Sequence, residues 1–188
     1  MAAVRETAID LSDAGISKTL RRLRRRPLVE PERWPLGVGG ALEGRALVED
    51  LLPQRGPMLL VDALVGVDRS ERLALGRRTI TADHVGLEGH FPNDPVLPGV
   101  LLIEMMGQVG LCLYTLLLRE EVPEEAAALQ VRATKILGAH FVGEVRPGDT
   151  VELLVQATSF DTMLGECVAQ ALVDGEVVGV MAGEVTVF

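Results

Sequence analysis

The chain has 188 residues, 48% of them apolar, 24% charged and 3% aromatic, which is long enough for a sizeable aliphatic core. Its net charge of −9 argues against nucleic acid as a partner, because phosphate binding needs a positive surface. The two cysteines make no disulfide framework, and Met1 to Thr19 contains acids but no apolar signal core, so a cytoplasmic location is expected.

Charge is uneven along the chain. Residues 1–45 hold nine Lys/Arg against six Asp/Glu, net +3, and the remainder holds nine against 21, net −12. A basic run from Lys18 to Arg26 is stopped by Pro27, and Pro31, Pro35 and the glycine patch 37–40 follow. This pattern predicts an N-terminal extension over residues 1–45, solvated and partly disordered, ahead of a folded domain at 46–188. A sharper reading makes the extension a docking arm for an acidic partner such as a carrier protein.

A short helix is expected over Leu47–Leu52, then a proline-bracketed turn from Pro53 to Pro57. Strands are expected at Met58–Val65 and Glu71–Ile80, with a loop from Thr81 to Glu88. The next stretch, Gly89 to Gln108, organises the rest. Three prolines, Pro92, Pro95 and Pro98, rule out helix or central strand before residue 98. Pro98 is then suited to open a helix, because the first turn has no use for its missing N–H.

From Val100 to Leu118 nearly every residue is apolar, so this helix is expected to be buried all round. It is also long enough to span a bilayer. Glu104 would cost about 2.5–3.5 kcal/mol at mid-membrane, and no basic cluster flanks either end, so a core helix and no membrane insertion are expected. Cys112 in this helix and Cys167 further on read as small buried hydrophobes. After it come strand-like runs at 131–137 and 140–145, then Thr150–Thr158, Met163–Val173 and Glu176–Phe188. Turn signals stand at Pro147-Gly148-Asp149 and Asp174-Gly175. The expected plan is two strands, a helix and an antiparallel meander, with the sheet wrapping the helix.

Chemistry concentrates in the 89–108 stretch. His90 could act as a base at neutral pH. Glu104, on an apolar helix, is expected to hold a proton more tightly than usual and so to serve as an acid. A helix starting at Gly99 presents free N–H groups and the positive end of its dipole to a developing oxyanion. Gln108 lies i,i+4 from Glu104 on the same face. Base, acid and oxyanion donor together suit removal of a proton beside a carbonyl with loss of a β-leaving group. His84 and His140 read as surface or loop residues. Neither a paired-cysteine nor an HExxH spacing occurs, and no P-loop, dinucleotide fingerprint or GxSxG elbow, so no metal or cofactor is expected.

Three segments carry a resemblance. The first is Leu52-Pro53-Gln54-Arg55-Gly56-Pro57-Met58-Leu59-Leu60-Val61-Asp62. The second joins Gly89-His90-Phe91-Pro92 through Pro98-Gly99-Val100 to Glu104-Met105-Met106-Gly107-Gln108. The third is Pro147-Gly148-Asp149. In these the run from Leu52 to Phe188 resembles the 3-hydroxyacyl-acyl-carrier-protein dehydratases, the FabZ-like branch of the hot-dog fold. The resemblance implies an α+β hot-dog domain and a hydro-lyase of fatty-acid or polyketide-type synthesis. His90 would take the α-proton, Glu104 would protonate the departing hydroxyl, and Gly99 N–H would hold the thioester carbonyl. Gln108 would orient Glu104, while Phe91 and Val100 would contact substrate. It further implies a 4′-phosphopantetheine-linked acyl-carrier-protein substrate, and a homodimer or trimer of dimers pairing His90 and Glu104 across subunits. Glu rather than Asp at 104 fits the branch that does not isomerise the double bond. Gln54, Gly56, Met58, Asn93, Asp94 and Gly107 depart from the usual pattern. The other readings are a hot-dog acyl thioesterase and a non-catalytic acyl-thioester-binding domain.

Overall fold

The computed structural model describes residues 9–41, 43–123 and 130–188. Three α-helices appear among them, α1 (Ile16–Leu23), α2 (Gly44–Leu51) and α3 (Gly99–Glu121). Six strands accompany them: β1 (Ala63–Asp68), β2 (Leu73–Thr79), β3 (Val131–Phe141), β4 (Thr150–Phe160), β5 (Leu164–Val173) and β6 (Glu176–Val187). All pair antiparallel in one sheet of order β1-β2-β4-β5-β6-β3.

The expected core helix is α3, capped by Pro98 in extended backbone and ended at Val122. Met105, Met106, Val109 and Cys112 on it are fully buried, each large side chain contributing roughly 1.5–3 kcal/mol by burial. It is the helix among the described residues that is long and apolar enough to cross a membrane, and it lies mostly buried inside the fold. The sheet can close around it because glycines face it. A Cβ on Gly76 would come within 2.4 Å of Val109, and one on Gly179 within 2.8 Å of Leu102. Cys112 and Cys167 are free and buried, and burial pushes the Cys167 thiol up to about 11.

Two expectations change. The last strands are not a simple meander: β4, β5 and β6 follow one another, but β3 lies at the far edge and pairs with β6. The first strand begins at Ala63, since Gly56–Met58 forms a 3₁₀ turn around Pro57.

Residues 9–41 of the extension lie against the outer face of the sheet; residues 1–8 and 42 lie outside the described residues. Leu20 and Leu23, spaced i,i+3 amid the arginines, pack on Val168, Val180 and Ala182. Leu28, Val29 and Trp34 pack on Leu73, Leu75, Leu154 and Leu172. Gly37 then bridges β1, with its N–H 2.9 Å from Val65 O and Val67 N–H 3.1 Å from Gly37 O. Buried Gln170 on β5 fastens this cover: its Nε2 donates to Leu23 O and, at 2.8 Å, to Arg26 O, and its Oε1 accepts from Leu28 N–H. The physical reason is that β5 and β6 are apolar on both faces and need a second layer.

Candidate active site

The proline-rich turn is held at both ends. Phe91 and Asp94 exchange backbone hydrogen bonds, Val96 N–H donates to His90 O, and Leu97 N–H reaches Val145 O at 2.8 Å. Arg146 pairs with Asp94 and Glu144, and the Arg146 guanidinium holds the Asp94 carboxyl below the usual carboxylate range. Within this frame His90 Nδ1 lies 2.8 Å from Val96 O. A carbonyl can only accept, so Nδ1 carries the hydrogen and, in the neutral ring, Nε2 is the basic nitrogen. The half-buried ring stacks on Phe91, with centroids 4.3 Å apart.

His90 lines a largely apolar concavity of about 450 Å³ with Pro98, Gly99, Val100, Leu102, Phe141 and Val145. Gly99 and Val100 are the first residues of α3, where backbone N–H groups have no intrahelical acceptor and the dipole is positive. Phe141 seals one side of Gly99: a Cβ there would sit 2.7–2.9 Å from three of its ring atoms. Phe91 and Val100 are both exposed, and Val100 is one of the concavity's lining residues.

Glu104 lies one turn further along α3 and is half-buried. Gln108, fully buried, supports it. Its Nε2 donates to Glu104 Oε1 at 2.8 Å and to Met58 O at 2.7 Å, while its Oε1 accepts from Leu60 N–H at 2.9 Å. One amide thereby joins α3, the first motif and the carboxyl group. Arg55 braces the same motif by donating to Glu49 O, Leu52 O and Gln54 O at 2.6–2.8 Å.

Glu104 faces different concavities from His90. One is shared with Gln54, Gly107, Leu111 and Arg132, another with Ile103, Lys135 and Met181. The structure thus places His90, Gly99 and Val100 on one concavity and Glu104, backed by Gln108, on two others. Phe141 and Val145 escaped the sequence reading. Their signal was the strand-like continuation of β3 towards the Pro147-Gly148-Asp149 turn, which carries Phe141 to the helix start. His84, read as a surface or loop residue, does lie in a loop but is buried, its Nδ1 2.8 Å from Val85 O.

A family model described as a FabA-like domain matches residues 52–181, which contain both halves of this constellation. A curated 3-hydroxyacyl-[acyl-carrier-protein] dehydratase FabZ of Caldicellulosiruptor bescii is 38% identical over 133 residues, covering 69% of this chain and 87% of that protein. The chain belongs to this family. The FabZ of Thermomicrobium roseum, 36% identical over 129 residues, covers 69% of this chain and 82% of its own length. Among solved structures, a chain of the dehydratase heterocomplex ApeI:P from Xenorhabdus doucetiae superposes with a TM-score of 0.61 at 21% identity, covering 78% of this chain and 91% of that one. A hypothetical thioesterase with coenzyme A from Streptococcus pneumoniae reaches 0.51 at 7% identity, covering 66% of this chain and 84% of that one. At such identities these structures establish the fold alone, an antiparallel sheet around a central helix, the hot-dog architecture. The FabA-like match begins at Leu52, after the sheet-covering segment.

Proposed function

We propose that this protein dehydrates 3-hydroxyacyl-acyl-carrier-protein to trans-2-enoyl-acyl-carrier-protein, as a cytoplasmic hydro-lyase that needs no cofactor. Residues 46–188 are its catalytic domain and residues 1–45 an extension to it. The observation that carries the reading is the His90 ring, pinned through Nδ1 to Val96 O beside the start of α3, which leaves Nε2 as a base next to an oxyanion-binding helix end.

In the forward step His90 Nε2 takes a proton from C2 of the acyl chain, and the C2–C3 double bond forms from the released electron pair. Negative charge building on the thioester oxygen is held by Gly99 N–H. Glu104, entering as the acid and oriented by Gln108, gives its proton to the C3 hydroxyl as the C–O bond breaks, and water leaves. Exchange with solvent returns His90 to neutral and Glu104 to the acid. Val100, Phe91 and the apolar wall around them receive the acyl chain.

His90 and Glu104 line different concavities, which supports a homodimer in which the base of one protomer meets the acid of its partner. The β3 edge strand, exposing Ile136 and Phe141, fits that contact. A trimer of such dimers is the larger assembly the same contact allows.

The test is incubation with a 3-hydroxyacyl carrier protein, followed by intact-mass measurement. Loss of one water is expected. Free hydroxy acid would make the protein a thioesterase, and unchanged bound substrate would make it a binding domain.

A further inference from the structure

We propose that the basic segment Lys18–Arg26 on the outer face of the sheet is a docking surface for an acidic protein, the carrier that presents the thioester substrate. This deepens the dehydratase reading and rests on it for the identity of the carrier.

Four observations lead there. The arginine charges are unspent: Arg21, Arg25 and Arg26 are exposed and meet no carboxylate among the described residues. Elsewhere Arg45, Arg69, Arg77, Arg78, Arg119 and Arg146 each form a salt bridge. The segment is also pre-organised. Leu20 and Leu23 seat α1 on the sheet, and Gln170 holds the carbonyls of Leu23 and Arg26 on either side of the arginine cluster. A partner therefore does not have to order this backbone, which lowers the entropic cost of binding.

The rest of the chain, net −12 beyond residue 45, repels an acidic protein and steers it towards the one basic segment. The segment is near the site, too. A Cβ on Gly138 of β3 would lie 2.7 Å from Leu20, and Phe141, three residues on along the same strand, lines the His90 concavity from the sheet's other face.

Other anionic partners fit less well. The apolar side chains of α1 are consumed by the sheet, so no greasy face remains to enter a bilayer. The chain's overall negative charge opposes nucleic acid.

The experiment compares the wild-type full chain with R21Q/R25Q/R26Q and with the charge-retaining R21K/R25K/R26K. Binding of a bacterial holo acyl carrier protein is followed by fluorescence anisotropy. Turnover is measured on 3-hydroxyacyl carrier protein and on the matching 3-hydroxyacyl pantetheine thioester, which lacks the protein. The glutamine variant is expected to bind carrier at least tenfold more weakly and to raise KM tenfold on the carrier-linked substrate. Its kcat and its turnover of the pantetheine thioester should match wild type, and the lysine variant should recover most of the affinity. Equal carrier affinity of wild type and glutamine variant overturns the proposal. So does a wild-type chain that does not bind carrier, or one that binds phosphatidylglycerol vesicles or duplex DNA more tightly. Absence of water loss from the pantetheine thioester refutes the dehydratase reading separately, because the anisotropy titration does not depend on turnover.

Discussion

Gln108 Nε2 donates to Glu104 Oε1 at 2.8 Å while the same amide closes two backbone hydrogen bonds to Met58 and Leu60. The carboxyl orientation is therefore coupled to how the first motif packs on α3. Replacing Gln108 with Leu strands a buried Leu60 N–H and Met58 C=O, at a cost of about 1–3 kcal/mol. The variant is expected to melt several degrees lower and to lose at least tenfold in kcat at a temperature where it is still folded. A lower melting temperature with full kcat would reduce Gln108 to a structural role.

The placement of His90 and Glu104 on different concavities makes a prediction about mixing. His90→Ala and Glu104→Gln should each cost about 10²-fold or more in rate, the scale of acid–base groups. If each site takes one residue from each protomer, a mixed dimer carries one doubly lesioned site and one intact site. Co-expression of the two variants, giving about half mixed dimers by symmetry, should restore roughly a quarter of wild-type turnover. Turnover no higher than that of the single variants would place both residues of a site in one protomer.

Gly99 is predicted to tolerate no side chain at full activity. A methyl group there meets the Phe141 ring at 2.7–2.9 Å, although that ring is half exposed and can swing aside. Gly99→Ala should therefore lose little melting temperature and at least tenfold in kcat/KM, because the displaced ring and the new methyl crowd the seat proposed for the carbonyl. Adding Phe141→Ala relieves the clash, so any stability loss should recover. Wild-type kcat/KM in Gly99→Ala would remove Gly99 from the oxyanion site.

Much of this was legible beforehand because the determinants are local. Pro98 starts α3, the apolar run from Val100 buries it, and Gln108 reaches Glu104 since they are one turn apart. Pairing at a distance was not legible. That β3 joins β6 rather than β4 is a long-range pairing that no local run of residues specifies. Phe141 touches Gly99 across 42 positions of sequence. The packing of the extension was hidden by its charge: the arginines around Leu20 and Leu23 read as solvated, yet two leucines on one face are enough when the sheet offers an uncovered apolar surface. The continuous apolar runs of β5 and β6, rather than clean alternation, were the available sign that both faces are covered.

Gln170 tests that cover directly. Its side chain is fully buried and bonds to three backbone groups between Leu23 and Leu28. Gln170→Leu removes all three and should cost about 1–3 kcal/mol. Limited trypsin digestion should then cleave at Arg24–Arg26 markedly faster than in wild type, while the 46–188 portion persists. Equal cleavage rates would show that the leucines alone hold the segment.

The last prediction concerns pH and His84. Burial disfavours its charged form first, and the nearby Arg78 charge adds to this, outweighing the Val85 carbonyl and the Asp62 and Asp83 carboxylates; its pKa is therefore below the ordinary value. Nδ1 already faces Val85 O, and Nε2 is buried with no hydrogen-bond partner among the described residues, so a second proton finds no acceptor there. Below the unfolded value of about 6.5 the unfolded chain binds this proton and the folded one resists it, so stability rises with pH through that window. The His84 contribution is thus complete above about pH 6.5 and falls as pH drops towards the folded pKa. Melting temperature measured at pH 7.5 and 5.5 should decline more in wild type than in His84→Gln, which keeps a neutral polar side chain. An equal decline in both would mean that His84 takes up its proton in the folded state as readily as in the unfolded chain.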